Sequence, residues 1–331
     1  MKVLVTGGTG FLGSHLADRY LDLGAEVVAL GLAVRPEEQA SAARLRTRGA
    51  RVVAGSVADP DVVRAELAGV DLVFHLAVAM REAGTGDDYF RRVNVDGTRL
   101  LLQASRESGV HRFVYCSTVG VVGHRQGAVN DERAPFNPTD IYQRTKMEAE
   151  VLALAFGAEH GLPTTVVRPA EVYGPRDGRL LKLFSGIKKG VFPMLGPGTG
   201  KHHMIYVDDC IDLFQCAAEN DAALGEVFIA AGGEAPSLDE LLRLVADVAG
   251  THPPRVRIPL GPVKWLAGLI EDICTPLKIQ PPLYRRRVEF YEHDYEFDIS
   301  KSRRVLGWTP GTTLRRGIEM TYRAYAEAGL L

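Results

Sequence analysis

Little in this sequence points to nucleic acid, a metal ion or an oxidising compartment. Its 39 basic and 41 acidic residues nearly cancel, so a net charge of -2 offers no attraction to a nucleic-acid backbone. The cysteines are too sparse for a disulfide framework and lack metal-ligand spacing; they are Cys116, Cys210, Cys216 and Cys274. We therefore expect reduced thiols, no metal site and a cytoplasmic protein that acts on a small molecule.

Long apolar runs are also missing. The first apolar run stops at glycines and does not resemble a signal peptide. No stretch reaches the roughly 20 apolar residues that span a bilayer. The nearest candidate, 263–279, is interrupted by Glu271, Asp272 and Pro276. Its apolar residues recur at helical spacing, which predicts a helix packed on the substrate-binding part of the protein. A helix at a membrane surface or a substrate entrance is the alternative.

Short apolar runs instead alternate with helical patterns. The predicted strands are 3–5, 27–30, 52–54, 72–76, 113–116 and 164–168. The predicted helices are 13–23, 60–68, 88–109 and 141–160. Continuous apolar strands separated by helices are typical of parallel sheets covered on both faces. The pattern therefore predicts an α/β fold with a doubly wound parallel sheet of the Rossmann type.

The alternation becomes irregular beyond Pro169, where prolines and glycines cluster at 190–200 and 253–262. We interpret 1–168 as a dinucleotide-binding domain, with later segments around 201–230 returning to it. The remainder, 169–331, is interpreted mainly as a smaller, discontinuous substrate-binding portion.

A glycine-rich turn joins the first strand to the first helix. Gly8, Gly10 and Gly13 fit the dinucleotide fingerprint, and Gly7 with the last two fits a related spacing. A side chain at Gly10 would hold the backbone away from a pyrophosphate, and one at Gly13 would push the helix off the strand. The helix N-terminus attracts phosphate through its free N–H groups. The turn therefore predicts a nicotinamide dinucleotide site.

The end of the second strand bears on the form of the cofactor. No carboxylate follows Leu30, although an acid at this place usually binds the ribose 2′-hydroxyl of NAD. The first charged residue is Arg35, whose guanidinium suits a 2′-phosphate. We predict NAD or NADP with a preference for NADP; the alternative is that Arg35 lies in a solvated loop without this role.

Tyr142 and Lys146 are four residues apart in a predicted helix and therefore share one face. A tyrosine with an ordinary pKa of about 10 is a poor base at neutral pH. A neighbouring ammonium and an oxidised nicotinamide favour the phenolate, so we expect the pKa of Tyr142 to fall towards the working range. Thr118 follows the fifth strand, where ligands of open α/β sheets bind, and is predicted to orient the reacting oxygen. A hydroxyl that only satisfies the strand end is the alternative for Thr118.

Further motifs continue almost to the end of the chain. They are TGGTGFLG at 6–13, DLVFHLA at 71–77, NVDGT at 94–98, RPAEVYGP at 168–175, YVDD at 206–209, DISK at 298–301 and LGW at 306–308. With the Tyr-Lys pair, these motifs resemble the extended short-chain dehydrogenase/reductase family, of the NAD-dependent epimerase/dehydratase and 3β-hydroxysteroid-dehydrogenase type.

This resemblance implies Thr118, Tyr142 and Lys146 as the catalytic set, a structural role for His75, and a homodimer. The cofactor contacts expected are Gly7, Thr9, Gly10, Phe11, Leu12, Gly13, Arg35, Ser56, Val57, Leu76, Ala77, Asn94, Ser117, Tyr142, Lys146, Pro169 and Val172. The substrate contacts expected are Met80, Thr118, Glu171 and His203. For the pair His202 and His203, solvated loop positions are the alternative.

Departures from the family pattern narrow the substrate. Ser56 replaces an acid that many relatives carry, and Val119-Gly120 replaces the acids of dehydratases. Glu171 stands where sugar-nucleotide enzymes usually place Asn, and no Arg is near His202 to hold a diphosphate. We predict a dehydrogenase or ketoreductase for a secondary alcohol or ketone on a fairly hydrophobic small molecule. An epimerase of a sugar or sugar nucleotide that retains NAD is the alternative, and a binding protein without turnover is the third interpretation.

Overall fold

The structure is a computed structural model that describes residues 1–79, 86–123, 127–274, 291 and 294–331. The strands are β1 Lys2–Thr6, β2 Glu26–Gly31, β3 Arg51–Ala54, β4 Leu72–His75, β5 Arg112–Cys116, β6 Thr164–Pro169, β7 Glu171–Tyr173, β8 Met194–Leu195, β9 Met204–Tyr206, β10 Val227–Ala230 and β11 Arg257–Ile258. The α-helices are α1 Phe11–Asp22, α2 Pro36–Thr47, α3 Pro60–Glu66, α4 Asp87–Arg91, α5 Gly97–Glu107, α6 Ile141–His160, α7 Leu181–Lys188, α8 Val207–Glu219, α9 Leu238–Val248, α10 Leu260–Cys274, α11 Ser300–Leu306 and α12 Leu314–Glu327. A π-turn, Arg92–Asp96, joins α4 to α5.

Seven strands form one parallel sheet in the order β10-β6-β5-β4-β1-β2-β3. The chain moves outward from β1 to β3 and then crosses to β4 on the other side of β1. This reversal makes a crevice at the carboxyl ends of β1 and β4, where doubly wound sheets bind their ligands. The predicted fold class is confirmed, and the fold places a ligand site beside the glycine turn.

Helices cover both faces of the sheet. On one face α1 and α8 pack through Leu16, Tyr20 and Ile211, which are 0 to 1% exposed. On the other face α3, α5 and α6 enclose a second core that contains Leu101 and Ala149. The central strands are apolar at nearly every position because neither of their faces meets water.

Helix α6 runs over 141–160, as predicted, because both of its ends are marked in the sequence. The Asp140 carboxylate caps the first turn by accepting the Gln143 N–H at 2.7 Å. Gly161 ends the helix with φ of +69°, a conformation that glycine adopts without strain. The predicted helix 88–109 is instead divided into α4, the π-turn and α5.

Helix α10 was predicted to pack on the substrate-binding part of the protein through its apolar residues. That prediction is wrong for its large apolar side chains, which are exposed. Trp265 is 72% exposed and Leu269 is 44% exposed, while Ala267 and Gly268 face the protein. Positions 275–279 of the predicted helix lie outside the described residues. Within the part of the chain that the structure describes, no helix has the length and apolar character needed to cross a membrane.

Candidate active site

The glycine turn lies directly under the end of β4. Gly7 has φ of +69°, and a Cβ there would come within 2.8 Å of the Leu76 carbonyl carbon and 2.9 Å of the Ala77 nitrogen. A Cβ on Gly13 would come within 2.1 Å of the Gly7 oxygen, so the first turn of α1 packs on the loop backbone. The turn therefore leaves a backbone cradle that fits the pyrophosphate of a dinucleotide.

Three predicted cofactor contacts lie on the side of this cradle where β2 and β3 end. Thr9 is 2% exposed, and its Oγ1 would lie 2.4 Å from a Cβ on Gly31, at the end of β2. Ser56 accepts the Ala58 N–H at 3.2 Å, and Val57 is 3% exposed. The structure thus places the predicted contacts Thr9, Ser56 and Val57 at the ends of neighbouring strands. Phe11 and Leu12 open α1, Pro169 ends β6, and Val172 is the middle residue of β7.

Arg35 is less available to a phosphate than the sequence suggested. Its Nη2 lies 2.5 Å from Glu38 Oε1, and its Nε lies 3.9 Å from Glu37 Oε1. Two acids therefore offset much of its charge at the start of α2. The preference for NADP remains a prediction.

Lys146 reaches from α6 to the end of β5. Its Nζ donates to the Cys116 carbonyl at 2.6 Å and lies 4.2 Å from the centre of the Tyr115 ring. Burial lowers the pKa of Lys146 to about 8, because the charged form loses hydration. An ammonium that titrates close to neutral pH is therefore held beside the predicted catalytic tyrosine.

Thr118 and Tyr142 come from two elements that meet at Gly120. Thr118 Oγ1 accepts the Gly120 N–H at 3.1 Å and begins the 3-10 turn Val119–Val121. A Cβ on Gly120 would lie 3.4 Å from that oxygen and 3.3 Å from the Gln143 side chain, next to Tyr142. Gln143 also accepts the Thr139 N–H at 2.7 Å, which fixes the start of α6. Thr118 and Tyr142 are both half-buried at this meeting point.

We expect the affinity for NADH to weaken as the pH rises through about 8, where Lys146 loses its charge. The lowered pKa means that the ammonium is present below that pH and absent above it, and the cofactor phosphates are anionic. Titration of nicotinamide fluorescence across pH measures this. Lys146→Met, which has no charge to lose, should bind weakly without the inflection. The same inflection in that variant would assign the titration to another group.

A buried ionic network that the sequence did not reveal lies behind the catalytic elements. Ser117 Oγ donates to Glu150 Oε2 at 2.5 Å, and Arg168 Nη2 donates to Glu150 Oε1 at 2.5 Å. The side chains of Glu150 and Arg168 are 1% and 3% exposed. Arg168 also donates to the Glu132 carbonyl at 3.1 Å. Because Ser117 precedes Thr118, this network fixes the strand end that carries the predicted catalytic hydroxyl. Ser117 is also a predicted cofactor contact. Its hydroxyl proton is donated to Glu150, so the hydroxyl has an acceptor oxygen but no free proton for the cofactor.

Asn94 connects the loop after β4 to α6. Its Oδ1 accepts the Ala79 N–H at 2.8 Å, and its Nδ2 donates to Thr145 Oγ1 at 2.9 Å. The residue is 2% exposed and lies within the π-turn, a feature that often occurs at functional sites. The direct contact of Asn94 with the cofactor remains a prediction, and the two hydrogen bonds give its amide a structural role as well.

Three histidines are buried in the protein, and two of them form hydrogen bonds through both ring nitrogens. His75 Nδ1 and Nε2 each lie 2.8 Å from a threonine Oγ1, and burial lowers its pKa to about 3, which confirms a neutral structural residue. His202 and His203 are 2% and 7% exposed, so the alternative of a solvated loop is wrong. His203 Nε2 lies 2.7 Å from the Gly232 carbonyl, and its Nδ1 accepts the Phe297 N–H at 3.1 Å. Its substrate contact remains a prediction, and any such contact would use the ring carbons, because both ring nitrogens are hydrogen-bonded within the protein.

Glu171 is an acid close to this site. Burial raises its pKa, while the nearby charge of Arg179 acts to lower it. Met80, the remaining predicted substrate contact, lies outside the described residues. Within the described part of the chain, no group of three or more His, Cys, Asp or Glu is arranged to hold a metal ion.

Comparisons with known proteins identify the family of this chain. Residues 3–231 match the model of the NAD dependent epimerase/dehydratase family. A 3 beta-hydroxysteroid dehydrogenase/Delta 5-->4-isomerase from Mycobacterium tuberculosis is 32% identical over 96% of this chain and 88% of its own length. A 2-alkyl-3-oxoalkanoate reductase from Stenotrophomonas maltophilia is 29% identical over 96% of this chain and 97% of its own. DesIV, a dTDP-glucose 4,6-dehydratase from Streptomyces venezuelae solved with NAD bound, superposes with a TM-score of 0.81 at 26% identity, covering 99% of this chain and 97% of that one.

Proposed function

The chain belongs to the NAD dependent epimerase/dehydratase family, and from that membership we propose an NAD(P)-dependent oxidoreductase that interconverts a secondary alcohol and a ketone on a fairly hydrophobic small molecule. The observation that supports this proposal is that Thr118 follows β5 and Lys146 reaches the end of β5, next to β4, whose end lies against the glycine turn. The relatives from M. tuberculosis and S. maltophilia, whose names describe a hydroxysteroid dehydrogenase and an oxoalkanoate reductase, support this class of substrate.

In the proposed mechanism, the chain's own residues move the proton. The bound cofactor accepts or supplies the hydride. Tyr142 takes the hydroxyl proton during oxidation and returns it during reduction. Thr118 holds the reacting oxygen, and the Lys146 ammonium favours the phenolate form of Tyr142 while it binds the cofactor. The other cofactor contacts predicted from the sequence complete the site. Among them, Asn94 and Ser117 also make the hydrogen bonds that hold the loop after β4 and the end of β5 in place.

We propose that the pocket does not hold a diphosphate. Glu171 is half-buried, and a carboxyl beside the substrate would repel a diphosphate when ionised. UDP- and dTDP-sugars should therefore give no thermal stabilisation, and Glu171→Asn, which restores the usual residue of sugar-nucleotide enzymes, should improve their binding. Micromolar affinity of the unmodified protein for any of these sugars would favour the epimerase.

We propose that the protein accepts NADP as well as NAD, because β2 ends without an acid and Arg35 follows it. The pairing of Arg35 with Glu38 limits this affinity. Glu38→Gln should therefore strengthen NADP binding several-fold and leave NAD unchanged, whereas Arg35→Ala should weaken NADP binding alone. Affinities of both cofactors measured by calorimetry test this. Equal changes for NAD and NADP would remove Arg35 from the site.

We further propose that 169–331 forms most of the substrate-binding portion, and that the protein is a cytoplasmic homodimer paired through 88–109 and 141–160. Light scattering of the purified chain tests the dimer. A monomer at micromolar concentration would contradict it.

The second candidate is an epimerase that oxidises and then reduces one carbon with a retained NAD. The family, which includes epimerases, favours this candidate. An epimerase would co-purify with tightly held cofactor. The third interpretation, a binding protein without turnover, requires tight cofactor binding with no reaction across a broad panel of alcohols and ketones.

A further inference from the structure

Arg179 is held in a fixed orientation close to the cofactor cradle. Its Nε donates to Asp177 Oδ1 at 2.9 Å, and its Nη2 donates to Asp177 Oδ2 at 3.3 Å and to the Val172 carbonyl. Asp177 is 1% exposed, and its own carbonyl accepts the Tyr325 hydroxyl. Buried partners therefore fix one edge of the guanidinium.

The guanidinium also lies close to the start of α1, next to the glycine cradle. The guanidinium lies 5.8 Å from the ring centre of Phe11, the first residue of α1. Burial acts to lower the pKa of Arg179, but the charges of Asp177, Glu171 and Tyr142 outweigh it and raise the pKa. Arg179 is thus an electrostatic neighbour of Tyr142. Its side chain is 56% exposed, and Nη1 makes no hydrogen bond to any residue that the structure describes.

Within the glycine loop itself, a pyrophosphate would meet backbone groups and neutral side chains but no full positive charge. The loop sequence TGGTGFLG, 6–13, has no basic side chain, and the first turn of α1 adds only the partial charge of a helix N-terminus. A full positive charge in a fixed fork forms the stronger, charge-assisted hydrogen bonds with a phosphate oxygen. A purely structural role, neutralising Asp177 and packing over Phe11, accounts for Nε, Nη2 and the contact with the ring, but it makes no use of the Nη1 edge.

We propose that Arg179 binds the phosphate on the nicotinamide side of the cofactor pyrophosphate. The inference rests on the proposed cofactor site and adds a side chain that neither the fingerprint nor the sequence motifs assign. The nicotinamide-side phosphate is chosen because Arg179 contacts Phe11, at the cradle, and interacts electrostatically with Tyr142, which the motif assigns to the reacting end.

The test compares the affinities of NADH, ADP-ribose and AMP for the full-length protein and its Arg179→Met variant by calorimetry. NADH and ADP-ribose carry the nicotinamide-side phosphate, and AMP does not. The variant should bind the first two on the order of 10- to 100-fold more weakly and AMP unchanged. Arg179→Lys, which keeps the charge but not the fork, should fall between them. Arg176→Met is the matched control, because this arginine of the same loop pairs with Asp18, and it should bind all three ligands normally.

Unchanged NADH affinity in a folded Arg179→Met protein would overturn the inference, as would an equal loss for AMP. If that variant does not fold, Asp177→Asn/Arg179→Met removes both charges and carries the same expectation. An unmodified protein that does not bind NADH would contradict the proposed function itself, which separates the two failures.

Discussion

Replacing Tyr142 with phenylalanine should lower turnover by about 100- to 10,000-fold, the usual effect of removing a proton-transfer group. The phenol is the group that the motif places beside the nicotinamide, at the start of a helix fixed by Asp140 and Gln143. Phenylalanine keeps the ring, so folding and cofactor affinity should change little. Steady-state kinetics together with a cofactor titration measure both effects.

Thr118 supplies the matched controls for this experiment. Thr118→Ser keeps a hydroxyl and should retain much of the turnover, whereas Thr118→Val removes it and should slow the reaction. A Tyr142→Phe enzyme with more than about a tenth of normal turnover would mean that another group transfers the proton.

Replacing Arg168 with leucine should cost about 3–5 kcal/mol of the free energy of unfolding, a large part of the roughly 5–15 kcal/mol typical of a folded protein. In the native protein, Arg168 donates hydrogen bonds through Nε and Nη2 to the Glu150 carboxylate, which is 1% exposed. The variant leaves this carboxylate buried without a cation. Urea denaturation followed by circular dichroism measures the change.

The double variant Glu150→Leu/Arg168→Leu distinguishes the cost of an uncompensated buried charge from the cost of lost side-chain packing. It removes both charges, so it should be more stable than Arg168→Leu alone. A double variant that is less stable than the single one would show that the packing of these side chains, and not the uncompensated charge, determines the loss.

The sequence predicts the parts of the fold that local signals encode. The strands of the Rossmann sheet are short apolar runs, and α6 is bounded by a capping aspartate and a terminal glycine. Helix α2 was not predicted because it buries only Ser41, Ala42 and Leu45 and has no apolar stripe. Strand β10 was not predicted because it joins the sheet beside β6 after a long irregular stretch.

In the candidate site, too, only the features encoded by neighbouring residues could be predicted from the sequence. The glycine turn and the Tyr142–Lys146 spacing are local, so the sequence contains them. The partner of Lys146 is a backbone carbonyl at Cys116, which no residue type reveals. Glu150 and Arg168 meet only because α6 packs against β6. His202 and His203 were misjudged because their burial depends on backbone bonds to Pro236 and Tyr295, far away in the sequence.

The most direct test of the central claim is to follow the hydride itself. The protein is incubated with a panel of hydrophobic ketones and NADH or NADPH deuterated at the transferring position, and the nicotinamide absorbance and the products are measured. The account predicts a loss of absorbance that matches the alcohol formed, with deuterium on the new carbinol carbon. Turnover with no net change in absorbance and no deuterium in the product would contradict it and establish the epimerase.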